Sequence, residues 1–367
     1  MRSRRATIAG LLLGAAIASG AVLPKIDFPK DSPVAFLGSD YGDSNEAARG
    51  GAMVLDLHAG LSLRNSSQRR IRGITLLVTA QEVTPGGKGS VTLSSLDVAP
   101  GETFPVRIDL RLLRPLQAGN GAPVQVGLDG VLFDDLSFYG PDKLSSRRML
   151  TVSELEARRD RRYFKAVLAE GGSQKLQNEM LGILSRQTVR PDTDVQVVRG
   201  ARATNFDPER EVRFAFLRLP DSPVEPSDGT ARVAGNEARA PRLEVTNHSD
   251  RDIRYLEIGW ILQDRQGREF LAGSVPANLS LAPGQKSQIL KDTTLKFPQR
   301  PGLAIAGMTG FVSNVEFADG AIWIPSRSDL ADPRFQKVLA SSAEEQRLVQ
   351  IYRKRGLKAL TEELKKF

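Results

Sequence analysis

Cysteine is absent from all 367 residues, and histidine occurs twice, as His58 and His248. The first absence excludes disulfides, thiolate nucleophiles and cysteine-ligated metals. The second leaves too few donors for a zinc site built on three or four protein ligands. His58 falls on an expected strand and His248 in an expected turn. Neither has a Gly-x-Ser-x-Gly segment to supply the nucleophile of a Ser-His-Asp triad. No long apolar run follows residue 23, so no span beyond the N-terminus is expected. No cofactor and no metal are expected.

Acidic residues are missing from the first 21 positions, where Arg2, Arg4 and Arg5 precede an apolar stretch from Ala6. A basic start, an apolar centre and small residues at Ala16-Ile17-Ala18 or Ser19-Gly20-Ala21 are the grammar of an export signal. Residues 1–23 are therefore read as a signal peptide, with a short uncleaved anchor as the alternative. Gly10, Gly14 and Gly20 interrupt the run and argue against the anchor. The rest of the chain is expected in the periplasm or secreted medium, or tethered there. Without those three arginines the formal charge falls from +8 to +5, and acids are interspersed with the remaining bases. That balance suits a solvated surface better than a nucleic-acid site.

What is present is a repeat. Leu61 to Arg72 reads LSLRNSSQRRIR, and Leu243 to Arg254 reads LEVTNHSDRDIR, with six identities at an offset of 182. Ala35-Phe36-Leu37 matches Ala215-Phe216-Leu217 at 180. Ala99-Pro100-Gly101 matches Ala282-Pro283-Gly284 at 183. Phe133, Asp135 and Pro141 match Phe317, Asp319 and Pro325 at 184. Matches that keep order with so little drift point to duplication. Each copy alternates apolar residues, as in Ile74, Leu76, Val78 or Leu256, Ile258, Trp260, Leu262, which is the period of a half-buried strand. Asn65 and Asn247 are turn residues. Pro100-Gly101 and Pro283-Gly284 suit type II turns, and Asp264 to Gly267 a hairpin. Asn65, Asn247 and Asn278 also head Asn-x-Ser sequons.

A helical segment follows each copy. Thr151 to Glu154 has the form of a capping box, ahead of Leu155, Phe164, Val167 and Leu168. Gly171-Gly172 ends that helix, and Leu176, Met180 and Leu184 mark a second. In the other copy Ser342 and Glu345 cap a helix bearing Leu348 and Ile351, and Gly356 breaks it. The apolar stripes are narrow, so each segment is expected to lie on the sandwich before it. The expected fold class is mainly β: two tandem immunoglobulin-like β-sandwiches, each followed by short helices. The boundaries are 24–34 linker, 35–141 first sandwich, 142–190 first helical segment, 191–207 connector, 208–325 second sandwich and 326–367 second helical segment. Residues 220–241, rich in Pro and Gly, read as a long loop.

The run from Leu243 to Trp260, with its asparagine turn before an alternating strand, resembles bacterial extracytoplasmic immunoglobulin-like and fibronectin-III-like domains. Trp260 is similar to the core tryptophan of an immunoglobulin strand C. The resemblance covers about 200 residues in two pieces and implies a fold without an activity.

The expected function is therefore non-catalytic: binding of an envelope protein or polymer through strand edges and loops. A second reading is docking on anionic lipid or cell-wall polymer through basic helices, with Arg158, Arg159, Arg161, Arg162, Arg353, Lys354 and Arg355 as the contacts. A third is a carboxylate-based glycoside hydrolase using Asp134, Asp135, Asp129 or Asp319. Against it, neighbours on a strand point to opposite faces, so Asp134 and Asp135 do not converge. Asp40 to Asp43 is a weak calcium candidate, since its spacing matches no calcium loop. Intact-mass measurement of the exported protein is expected to show a chain starting near residue 19 or 22; retention of Met1 in the membrane fraction would favour the anchor.

Overall fold

The computed structural model describes residues 24–82, 85–116, 124–187, 195–200, 208–298 and 304–367. Residues 1–23, expected from the sequence to be a signal peptide, lie outside them. The chain is mainly β and divides into two compact units, residues 1–146 and 147–367.

The first unit holds β1 (Lys25–Asp27), β2 (Val34–Asp40), β3 (Asn45–Arg49), β4 (Ala52–Asn65), β5 (Ile71–Thr79), β6 (Lys88–Leu93), β7 (Thr103–Pro115), β8 (Gln125–Phe133) and β9 (Phe138–Tyr139). One sheet runs β1-β8-β5-β6 with β9 beside β8; the other joins β2, β3 and β7 to β4. Alternate residues of β4 and β7 turn inward, among them Leu55, Leu57, Leu61, Val106 and Ile108. They form one apolar cluster with Ile74, Leu76 and Val126 of the other sheet. Each such side chain contributes roughly 1.5–3 kcal/mol when fully buried.

The second unit holds α1 (Ser146–Gln187), which begins at the last residue of the first. Eleven strands and a helix follow among the described residues: β10 (Gln196–Arg199), β11 (Arg210–Arg213), β12 (Ala215–Phe216), β13 (Val224–Ala234), β14 (Glu237–Asn247), β15 (Ile253–Asp264), β16 (Glu269–Leu281), β17 (Lys286–Ile289), β18 (Thr293–Lys296), β19 (Ile305–Phe317), β20 (Ile322–Trp323) and α2 (Pro333–Val338). Last is α3 (Ala343–Lys365). Its sheets run β12-β19-β15-β16, with β20 on β19, and β10-β18-β14-β13-β11, with β17 on β14. Trp260 is fully buried in their shared core, edge-on to Phe214 at 4.8 Å. Phe335 of α2 packs on the other face of the first sheet, edge-on to Phe311 at 4.8 Å. That cover buries Ile261 as well as Trp260 and Leu262, so β15 loses its clean alternation.

The same local wiring occurs in both units. Asn65 Nδ2 donates to the carbonyls of Arg69 (2.8 Å) and Val98 (3.1 Å), and its Oδ1 accepts from the amide of Ser67 (3.0 Å). Asn247 makes the matching bonds to Arg251 (2.8 Å), Leu281 (2.9 Å) and Ser249 (2.9 Å). Both side chains are fully buried, so both amides are occupied as turn linchpins. Gly101 and Gly284 take φ of 78° and 71°. The turns close by Glu102 N to Ala99 O (3.1 Å) and Gln285 N to Ala282 O (3.0 Å), as a type II turn requires. Arg69 stacks on Phe133 and Arg251 on Phe317, at 3.8 and 4.0 Å.

Several expectations are corrected. Ala35-Phe36 and Ala215-Phe216 are not equivalent. Ala215-Phe216 runs parallel to β19, as Lys25–Asp27 runs parallel to β8, whereas Ala35-Phe36 lies antiparallel on β4. The structurally matching segment is Asp31-Ser32-Pro33-Val34 with Asp221-Ser222-Pro223-Val224, in which each serine hydroxyl bonds the valine two residues on. Residues 220–241 are not a loop but carry β13 and the start of β14. Pro226 is tolerated because it sits at a bulge, where β13 pairs only with β14. Part of the expected connector, Gln196–Arg199, is a strand on β18. Helix α1 starts at Ser146 rather than at the Thr151 box, because Asp129 accepts from the Lys143 and Leu144 amides and the Ser146 hydroxyl and fixes its entry. Ser342 does cap α3, accepting from Glu345 N at 3.0 Å.

The helices also pack differently from expectation. Gly172 and Gly356, at φ of 63° and 80°, break α1 and α3 as read from the sequence. However, Phe164, Leu176 and Met180 of α1 share one core with Leu348, Val349, Leu360 and Leu364 of α3. A narrow stripe is buried more fully by another helix stripe than by a sheet face already closed over its own core.

Replacing Asn247 by Ala is expected to cost about 2–4 kcal/mol, because two carbonyls and an amide lose their buried partner. Urea unfolding followed by Trp260 fluorescence checks it, and a loss under 1 kcal/mol would refute the linchpin role.

Candidate functional site

Three features of the described residues can carry function: a buried ionic network, exposed bases on the helices, and clefts at the sheet edges.

The network begins at Glu316 on β19, whose side chain is fully buried. It accepts from Arg147 and Arg148 of α1, the latter at 2.6 Å, and from Arg254 of β15. Arg148 also stacks on the Tyr255 ring at 3.4 Å. Burial alone would raise the Glu316 carboxyl, but hydrogen bonds from Arg254 and Arg148 outweigh it and hold it below its ordinary 4.5. Farther along, buried Asp160 accepts from Arg159 (3.0 Å), Arg327 (3.4 Å) and Ser342 (2.5 Å). Glu154 binds Arg161 at 3.0 Å and Arg158 at 2.9 Å, and Glu344 binds Arg347 at 2.8 Å. The network fastens α1 and α3 to each other and to the sheet.

This placement decides the basic contacts read from the sequence. Arg159 and Arg161 are turned inward, with side chains 10% and 5% exposed, and Arg158 is paired with Glu154. They do not form an outward face, because buried Glu154 and Asp160 lie within one or two turns and neutralise them. Arg162, Arg353, Lys354 and Arg355 remain exposed. Arg353 to Arg355 occupy the last turn before Gly356, where cations also complement a helix C-terminus. The candidate carboxylates are occupied by turns. Asp129 anchors the α1 entry. Asp135 accepts from Ser137 and pairs with Arg69 at 3.6 Å, and Asp319 binds Arg251 and the Ala321 amide. His58 and His248 are exposed, paired with Asp109 (2.9 Å) and Glu225 (3.1 Å). Among the described residues no three or more His, Cys, Asp and Glu side chains group as a metal site.

Sequence reasoning missed Glu316. Its signal is present: by the 184 offset it stands where the first unit has Leu132, and both pair with the short strand that follows, Leu132 with Phe138 and Glu316 with Ile322. A glutamate at a position whose counterpart is a fully buried leucine implies a buried charged partner.

The clefts lie in matching places. In the first unit a cleft of about 550 Å³ is lined by Phe28, Pro29 and Ser32 of the segment crossing from β1, and by Val34, Ala35 and Phe36 of β2. In the second, about 260 Å³ is lined by Leu219, Pro220 and Ser222 of the crossing segment and by Val224, Glu225 and Pro226 of β13. At these stretches β2 pairs only with β4 and β13 only with β14, so each cleft borders a strand edge with no further neighbour among the described residues. Phe36 and Leu37 are 38% and 49% exposed beside the first.

No family model matches the chain, and no curated protein matches it. The solved structures that match include a β-glucosidase from Kluyveromyces marxianus, at 12% identity and a TM-score of 0.15. That match covers 66% of this chain, which spans 39% of the enzyme's chain. A likeness this weak carries no argument about fold or activity.

Glu316→Gln is expected to cost about 2–3 kcal/mol. That is less than the roughly 3–5 of a fully buried pair, because Arg147 and Arg254 remain partly in water. The Glu316 contribution is present in full above about pH 4.5 and is lost as the pH falls through its lower folded value. Thermal melts of both proteins from pH 7 to 3 are expected to draw together as acid removes the difference; a gap as wide at pH 3 as at pH 7 would refute the linkage.

Proposed function

We propose that this chain is a non-catalytic extracytoplasmic binding protein made of two duplicated immunoglobulin-like sandwiches, and that it takes extended segments of a partner envelope protein at its open strand edges. The duplication is supported by the shared asparagine linchpin, the shared serine-proline turn and the parallel strand pairing described above. The observation that carries the binding reading is the cleft beside an unpaired strand edge at the same place in both units. Beyond Val34 and Val224, whose N–H and C=O groups are taken by the hydroxyls of Ser32 and Ser222, and apart from Pro226, which has no N–H, such an edge presents backbone groups without a sheet partner, and a peptide that adds there gains ladder hydrogen bonds while the cleft selects its side chains. Exposed Phe36 and Leu37 suit apolar side chains of the incoming strand.

A second reading, docking on anionic lipid or cell-wall polymer, is favoured by Arg162, Arg353, Lys354 and Arg355, which are exposed and form no ion pair with another of the described residues. Salt separates the two, since exposed charge contacts are screened within about 8–10 Å at 0.1–0.15 M ionic strength. Residues 24–367 are expected to retain a partner from envelope extract at 0.5 M salt, and the Phe36→Glu, Leu37→Glu variant to lose it at least tenfold. Binding that disappears at high salt and is insensitive to that variant would transfer the function to the basic helices.

A further inference from the structure

A cavity of about 160 Å³ opens among α1, α2 and α3 in the second unit, away from the strand edges. One wall is apolar, with Leu330, Phe335 and Leu339. The other carries Tyr163 and three arginines, Arg159, Arg186 and Arg327, against two carboxylates, Glu179 and Glu345.

The guanidinium groups of Arg186 and Arg327 are fixed in place but not saturated. Arg327 stacks on the Tyr163 ring at 4.4 Å. Its hydrogen bonds, to Glu345 at 2.8 Å and Asp160 at 3.4 Å, both leave from Nη1. Nε and Nη2 are left without a partner among the described residues. Arg186 reaches Gln336 at 3.3 Å through Nη1, and Glu179 only at 3.8 Å through Nη2. A guanidinium presents five N–H donors in a rigid fork that matches a carboxylate. Held on two sides by acids and by an aromatic face, Arg327 has already lost most of the rotamer freedom that binding would remove.

We infer that this cavity is a binding site for a small amphipathic carboxylate, which sets its anionic end against Arg186 and Arg327 and its apolar body against Phe335 and Leu339. The volume is below the roughly 300–1,000 Å³ of a drug-sized pocket, so the ligand is limited to about the size of a benzoate or a short fatty acid. The inference is independent of the strand-edge reading, because it uses neither cleft.

The test is calorimetric titration and thermal shift of the full chain with sodium benzoate and sodium hexanoate. Benzyl alcohol serves as a neutral isostere and inorganic phosphate as a plain anion at matched ionic strength. Both carboxylates are expected to raise the melting temperature and to bind with one site. Benzyl alcohol and phosphate are expected to bind at least tenfold more weakly. Arg186→Gln is expected to weaken benzoate at least tenfold with an unchanged ligand-free melting temperature, since its side chain is one-third exposed and its ion pair is long. Leu339→Phe, which narrows the apolar wall, is expected to exclude benzoate while the protein stays folded. Equal binding of benzyl alcohol, equal binding of phosphate, full retention by Arg186→Gln, or no binding of either carboxylate would each overturn the assignment.

Discussion

The helical segments are each too narrowly apolar to be buried alone, and much of the second unit follows from that constraint. Phe164, Leu176 and Met180 on one segment meet Leu348, Val349, Leu360 and Leu364 on the other. The apolar contact would by itself leave the helices free to slide along the sheet. Buried acids fix them. Glu316 takes three arginines from α1 and β15, and Asp160 takes Arg159, Arg327 and Ser342. Buried ions are weak as stabilisers but strong as constraints, since each misplacement strands a charge out of water.

Arginine is the cation throughout this network for a geometric reason. Glu316, Asp160 and Glu344 each accept from more than one donor or from both guanidinium arms. A planar fork serves such an acceptor with less loss of freedom than a lysine ammonium does. The same property leaves spare donors, and in the helical cavity those of Arg186 and Arg327 border an apolar wall. A structural network thereby creates a polar pocket as a by-product of holding the helices.

The β framework rests on a different device. One buried asparagine in each unit, Asn65 or Asn247, binds two carbonyls and an amide, joining the turn after one long strand to the residue before the Ala-Pro-Gly turn. Outside that point the strands are held by alternating apolar residues. Where they border the clefts, β2 and β13 have one strand partner each among the described residues, and the proposed binding of an extended segment rests on that edge.

The amino-acid sequence by itself determined the mainly β character, the asparagine and Pro-Gly turns, the helix breaks at Gly172 and Gly356 and the cap at Ser342. Each of these rests on local chemistry: strand periodicity, side-chain bonds to nearby backbone, or a φ only glycine adopts freely. Tertiary structure decided the rest. The helices pair with each other because an apolar stripe does not name its partner. Arg159 and Arg161 face inward because Asp160 and Glu154, which neutralise them, are themselves buried where α1 meets its neighbours, and no helix by itself tells which of its faces will be covered. Pro226 lies in a strand because only the sheet order reveals which edge tolerates a missing N–H. Glu316 is a buried hub because its three partners lie 62 to 169 residues away, beyond the reach of any local pattern.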